Sequence, residues 1–357
     1  MPNETVEAGP RRRRRGRIAL GVLLGLAAAL GILFLILRTP DTDAEAMRAK
    51  YGGPASQFLE VSPGFVVHVR DQGPRNAPAL LLLHGSNASL HTWEPWVARV
   101  SDRYRVITLD LQGHGLTGPH PERCYSPDCM AATVEAVREA LAVERMVIGG
   151  NSMGGRVAMT YAVQHPERVR ALVLVNSAGA PPAEGAEAPA RRRPAGFAIA
   201  RVPLLRDLAA VITPRALIER GLAGTVVVKD PAASPEAVDR YWELLRYPGN
   251  RKATLERFAT PTPRLGALEL KALEPIPALI LWGADDPLFP EAAARRFAGA
   301  LPGARLALLP GVGHIPQEEA PNESADALLR FLADLPPAGT APARAPAETA
   351  EAAAIED

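Results

Sequence analysis

The chain has 357 residues, 47% hydrophobic and 22% charged, which excludes a disordered or fibrous protein and allows one large domain or two small ones. Its formal net charge of +1 hides an asymmetry, because residues 1–38 hold seven Arg and two Glu and leave 33 basic against 37 acidic residues in the remainder. No nucleic-acid partner is expected from that remainder: its one basic run, Arg191 to Arg193, lies in a Pro/Ala/Gly-rich loop without interleaved aromatics and reads as solvated.

The first element is an uncharged apolar run of 20 residues, 18–37 (IALGVLLGLAAALGILFLIL). As a helix rising about 1.5 Å per residue it spans roughly 30 Å, the thickness of a bilayer's hydrocarbon core. Arg11 to Arg15 and Arg17 precede it, whereas Arg38 is followed by Asp41, Asp43 and Glu45. The positive-inside bias therefore puts residues 1–17 in the cytoplasm and everything beyond the membrane helix outside it, in the periplasm if the cell is Gram-negative. A buried core helix would show a polar face, and this run has none. A cleaved signal peptide is the stronger competitor, because Ala44-Glu45-Ala46 resembles a small-x-small site, but the run is longer than the usual h-region of about 7–15 residues. Residues 38–57 read as a linker. An oxidising compartment permits a disulfide between Cys124 and Cys129, with two free buried thiols as the alternative. No Cys or His set at zinc spacing accompanies them, so neither a metal nor a cofactor is expected.

From residue 58 the pattern becomes that of a sheet: FLEV, FVVHVRDQG, ALLLLHG (79–85), RVITLDL (105–111), RMVIGG (145–150), ALVLVNS (171–177), ALILWG (278–283) and RLALLPG (305–311). Short apolar runs bounded by Gly, Pro and Asp are strand signals, and their alternation with helix-like stretches such as 128–142 and 153–164 implies an α/β fold, its parallel sheet covered on both faces. Between Ser177 and about Pro263 the alternation stops. That stretch, about 178–263, is read as a helical lid over the C-terminal edge of the sheet. Tyr241 and Trp242 in PEAVDRYWELLRY either face a pocket there or pack the lid onto the core, and packing is the favoured reading. Residues 336–357, rich in Pro, Ala and Glu, read as a disordered tail.

Gly150-Asn151-Ser152-Met153-Gly154 fits G-x-S-x-G between an apolar strand and a helix, where flanking glycines permit the tight turn that exposes a serine hydroxyl. Such a serine needs a base. Of seven histidines, His68 sits in a strand, His84, His91, His114 and His120 lie upstream of the serine, and His165 ends the helix that Ser152 begins. His314 remains, just past the last strand at the same sheet edge. The base needs a carboxylate in turn, and spacing leaves Asp285 and Asp286 in WGADDP undecided. The residue after the nucleophile, Met153, supplies one oxyanion N–H.

His84-Gly85 after a strand, Asp110-Leu-Gln-Gly113-His114-Gly115 after the next, the Ser152 elbow, WGADDP and Gly313-His314 together resemble the α/β-hydrolase superfamily over residues 58–335. Thr117 departs from the Ser often found in relatives. The resemblance implies a mostly parallel eight-stranded sheet with helices on both faces and a helical lid inserted between two strands. It also selects Asp286 over Asp285, names Ser86 as the second oxyanion donor with Asn87 as the alternative, and makes His84 a structural turn residue. The activity it implies is serine hydrolysis of a carboxylic ester in a small or medium hydrophobic, or lipid-like, substrate through an acyl-enzyme. The Ser152 elbow is also similar to that of carbon–carbon hydrolases of the meta-cleavage type, although HGSNAS lacks their Gly-rich oxyanion loop. A membrane-tethered binding module without catalysis is the third reading. Oligomeric state has no signal in the sequence.

Overall fold

The computed structural model describes residues 10–182 and 195–337. Arg191 to Arg193 and most of the tail expected at 336–357 lie outside them.

The eight expected strands all form: β1 (Ser56–Ser62), β2 (Phe65–Gln72), β3 (Ala79–Leu83), β4 (Arg105–Leu109), β5 (Met146–Asn151), β6 (Val169–Val175), β7 (Ala278–Gly283) and β8 (Arg305–Leu309). They make one sheet in the order β1-β2-β4-β3-β5-β6-β7-β8. Only the β1–β2 and β2–β4 pairs are antiparallel. From β4 to β8 every neighbouring pair is parallel. The reason lies in the side chains: β3, β4, β5 and β7 are buried at every position, and an all-buried strand needs cover on both faces.

The two-residue strand period divides that cover cleanly. Leu81, Leu83, Ile107, Ile148, Leu172 and Ile280 point to one face, beneath the helices Pro127–Ala140, Met153–Gln164 and Glu291–Ala300. Leu80, Leu82, Val106, Val147, Val173 and Leu279 point to the other, against Trp93, Trp96 and the apolar side of the helix Pro321–Ala333. Because β3 to β8 run in one direction, the loops that follow them gather at one edge.

Between β6 and β7 the described residues contain the helices Ala195–Ala200, Pro203–Ala209, Arg215–Ala223, Pro235–Leu245, Asn250–Ala259 and Ala267–Leu273, a helical insertion between core strands. At the N-terminus the helix Pro10–Leu37 carries an apolar stretch, Arg17–Leu37, with a mean hydropathy of 2.8 and none of it buried in the fold. The segment read as a linker is structured: it holds the helix Ala44–Tyr51, N-capped by Asp43 Oδ1 accepting from Ala46 N at 2.8 Å, and the start of β1. Cys124 and Cys129 are joined in a disulfide, at the start of the helix Pro127–Ala140.

Near the serine strand, Asp110 is a buried anchor for β2 and two loops. Its Oδ1 accepts from Leu90 N at 2.7 Å, and its Oδ2 accepts from His68 Nδ1 at 2.7 Å and Leu116 N at 2.8 Å. Thr117 does here what a serine would, its Oγ1 donating to Asp110 O and accepting from His68 N.

Burial pushes the imidazoles of His84, His91 and His114 below their ordinary range, His91 to about 4. Each is neutral in the fold but binds a proton when unfolded at mildly acidic pH, so the unfolded state holds more protons between the folded and unfolded values. Stability should therefore fall as pH drops below about 6.5, for His91 until about 4, each such histidine contributing up to about 1.4 kcal/mol per pH unit between its own folded and unfolded values. Urea unfolding at about pH 7, 6 and 5 measures this, and a midpoint that stays flat contradicts it.

Candidate active site

β5 ends at Asn151, the helix Met153–Gln164 begins two residues later, and Ser152 sits between them at φ 53°, ψ −114°. A non-glycine residue there is strained, and the neighbouring backbone holds it in place. Ser152 N donates to Val175 O at 3.0 Å, and Ser152 O accepts from Ala178 N at 2.9 Å. Gly154 is required by close approach, since a Cβ on it would collide with the backbone of Leu83 and His84.

The residues expected as acid and base meet at the ends of β7 and β8. His314 Nδ1 donates to Asp286 Oδ2 at 2.7 Å, with both side chains buried. The remaining lone pairs of Asp286 are filled: Oδ1 accepts from Leu288 N at 2.7 Å and Phe289 N at 3.0 Å, and Oδ2 accepts from Asn176 Nδ2 at 2.7 Å. Asp285 is exposed and accepts from Gly311 N at 2.6 Å, tying its turn to the loop that leads to His314. The two neighbouring aspartates, inseparable by spacing, thus occupy different environments.

Ser152 is joined to this pair through its neighbour, because Asn151 Nδ2 donates to His314 O at 3.0 Å. Among the described residues no side-chain hydrogen bond connects the Ser152 hydroxyl to His314. Such bonds are often long in a free enzyme and tighten around substrate.

On the other side of the serine stands the loop after β3. Gly85 lies so close that a Cβ on it would fall 2.8 Å from Asn151 Oδ1 and 3.3 Å from Ser152 Cβ. Among the described residues no backbone acceptor takes the Ser86 N–H, and the Met153 N–H is an orphan donor of its helix's first turn. Asn87, the alternative donor, is held at φ 61°. His84 spans two loops, its Nε2 accepting from Leu111 N at 3.0 Å while Nδ1 donates to Gly85 O at 2.7 Å. Those partners assign a neutral ring with the proton on Nδ1.

Three positioning residues had no signal in the sequence. Asn176, at φ 39°, follows β6, where its Nδ2 donates to Asp286 and its Oδ1 accepts from Gly283 N at 2.9 Å. Glu319 accepts from four backbone amides: Val227 N at 2.8 Å, Val228 N at 3.0 Å, Gly313 N at 2.9 Å and Ile315 N at 3.0 Å. Glu318 accepts from Tyr241 OH at 2.7 Å and Arg240 Nη2 at 2.8 Å, while Trp242 Nε1 donates to Thr213 O at 2.8 Å. Tyr241 therefore fastens the insertion to the core, while Trp242 braces the insertion internally.

Asn176→Asp tests the role of the first of these. The substitution keeps the side chain's shape but sets a second carboxylate against Asp286 Oδ2, and repulsion should raise the proton affinity of the pair. The expected result is a fall of about tenfold to hundredfold in kcat, with the acid limb of the pH–rate profile moved upward. An unmoved profile would sink the assignment.

Residues 78–215 and 220–321 match the family described as alpha/beta hydrolase fold. The 2-hydroxymuconate semialdehyde hydrolase of Pseudomonas sp. strain CF600 is 29% identical to the chain, over 81% of it and 98% of that enzyme. A 2-hydroxy-6-oxononadienedioate/2-hydroxy-6-oxononatrienedioate hydrolase of Paraburkholderia phymatum is 28% identical, over 82% and 98%. Among solved structures, a membrane phospholipase A described as a bacterial virulence factor superposes with a TM-score of 0.65 at 26% identity, over 89% of this chain and 98% of that one.

Proposed function

Because the chain belongs to the alpha/beta hydrolase fold family, we propose that it is a membrane-tethered serine hydrolase that cleaves a carboxylic ester of a hydrophobic, lipid-like substrate. The observation that carries this reading is the buried Asp286–His314 pair joined through Asn151 to a serine held at positive φ.

In the reaction, Ser152 Oγ attacks the ester carbonyl while His314 Nε2 takes its proton. Asp286 keeps the other imidazole proton on Nδ1 and stabilises the imidazolium. The oxyanion forms between the Ser86 and Met153 N–H groups, which strengthen their hold as negative charge develops. Collapse expels the alcohol with the proton from His314, and water attacks the acyl-enzyme by the same route.

The lipid-like substrate is supported by the anchor helix and by the likeness to a membrane phospholipase A across nearly all of that structure. Placement outside the cytoplasm is supported by the arginines before the anchor and by the Cys124–Cys129 disulfide. The two hydrolases of dienoate-type compounds among the relatives favour a second reading, carbon–carbon bond cleavage by the same serine.

Full-length protein in detergent should be labelled at Ser152 by a fluorophosphonate and should hydrolyse p-nitrophenyl butyrate. Folded protein that does neither overturns the hydrolase reading. A meta-cleavage dienoate run beside the ester separates the two chemistries, and a higher kcat/KM for the dienoate would replace ester cleavage with carbon–carbon cleavage.

A further inference from the structure

The helix Pro203–Ala209 of the insertion is amphipathic in the wrong direction for a soluble protein. At about 100° per residue Leu204, Leu205 and Leu208 fall within one arc of the helix, with Arg206 opposite and Asp207 at the arc's edge. Ordinarily the leucine arc would be buried. Here Leu204 is 78% exposed, Leu205 46% and Leu208 41%, and Val202 at the N-cap is 45% exposed, whereas Arg206 is half-buried.

What covers this face is indicated by its neighbour. The anchor helix ends at Leu37, and two residues later Thr39 is stitched to the chain that leaves the leucine helix: Thr39 N donates to Val211 O at 2.9 Å and Thr39 Oγ1 accepts from Thr213 N at 2.7 Å. The next residues continue the seam. Arg251 donates to Thr39 O at 2.8 Å, Arg246 Nε donates to Pro40 O at 2.9 Å, and Thr42 N donates to Arg246 O at 2.9 Å. Farther on, Met47 packs with Leu244 and Tyr247. The insertion is therefore held at the point where the chain leaves the bilayer. Leu208 lies in the last turn of a helix that ends at Ala209, two residues before Val211, so the leucine face begins close to that point.

We propose that the Pro203–Ala209 helix is a second membrane contact, lying in the interface with Leu204, Leu205 and Leu208 among the acyl chains, so that the insertion meets its ester substrate in the bilayer. The contact rests on the anchor reading, and the delivery of substrate rests on the hydrolase reading. A helix of this kind buries its apolar side at the boundary of headgroups and acyl chains.

The chain's two cysteines are paired in the disulfide, so Leu208→Cys supplies one free thiol for a nitrobenzoxadiazole label. In full-length protein reconstituted into phosphatidylethanolamine/phosphatidylglycerol vesicles, brominated acyl chains should quench this label, and should quench a label at Arg206→Cys much less. A label at Leu30→Cys in the anchor is the control. Quenching at Leu30→Cys without quenching at Leu208→Cys overturns the proposal, and quenching at neither overturns the anchor reading as well. A Leu208→Cys label shielded from water but untouched by bromine, in protein that runs as a dimer, assigns the face to a second copy and also overturns it. For substrate delivery, the double variant Leu204→Ser, Leu208→Ser should lose about tenfold in hydrolysis of a vesicle-embedded fluorogenic phospholipid. It should keep its rate on p-nitrophenyl butyrate in detergent. Equal losses on both substrates defeat delivery from the bilayer, whereas no ester hydrolysis by the parent protein defeats the hydrolase reading.

Discussion

Ser152→Ala should lower kcat/KM for p-nitrophenyl butyrate by about 10⁴-fold or more and abolish fluorophosphonate labelling, yet leave the folded protein about as stable as the parent. The two halves of this expectation have separate causes. Activity is lost because the hydroxyl that would form the acyl bond is gone. Stability is kept because the hydroxyl makes no hydrogen bond among the described residues, while the backbone contacts of Ser152 with Val175 and Ala178 do not involve the side chain. Alanine at φ 53° is still strained, as serine is. Ser152→Gly removes that strain and should raise stability by about 1 kcal/mol at the same loss of activity. Urea unfolding of both variants beside the kinetics is the measurement. An alanine variant that keeps even a hundredth of the rate would mean that Ser152 is not the nucleophile.

The strands were legible because each is a short apolar run whose partners are other apolar runs, and burial on both faces leaves a mark in composition. Ser152 was legible for a local reason, since the glycines flanking it serve a turn made by adjacent residues. His314 emerged by elimination. Asp286 did not come from spacing at all, because Asp285 and Asp286 differ only in what surrounds them: Asp286 meets Asn176 and His314, which follow the two strands that flank β7 but stand far off in sequence, while Asp285 bonds Gly311 at the surface. Residues that act at long range were invisible for the same reason. Asn176 reads as an ordinary residue after a strand, and Glu318-Glu319 reads as first-turn acid on a short helix, although both acids are nearly fully buried. The contacts of the segment after the anchor left no sign in the sequence because its hydrogen bonds go to residues about 170 to 210 positions away, a pairing with no periodic trace.

Glu319→Ala is expected to cost about 3–5 kcal/mol, more than any surface change, because it strands four N–H groups, two of them fully buried, that one carboxylate now satisfies. Two of those amides, Gly313 and Ile315, flank His314, and the other two, Val227 and Val228, belong to the insertion. His314 N itself donates to Thr225 O at 3.0 Å, so the loop and the insertion share one seam with Glu319 at its centre. Glu319→Gln separates positioning from folding. Its oxygen can keep the three amides now on Oε2, but its NH2 must then face the Ile315 N–H, donor against donor. That variant should stay folded at a cost of about 1–3 kcal/mol, while the displaced loop moves His314 away from Ser152 and lowers kcat about tenfold with little change in KM. Steady-state kinetics well below its unfolding temperature checks this. A Glu319→Gln protein with the parent kcat would leave Glu319 a role in stability alone, whereas a fall in kcat at constant KM ties the reacting imidazole to the same carboxylate that fastens the insertion to the core.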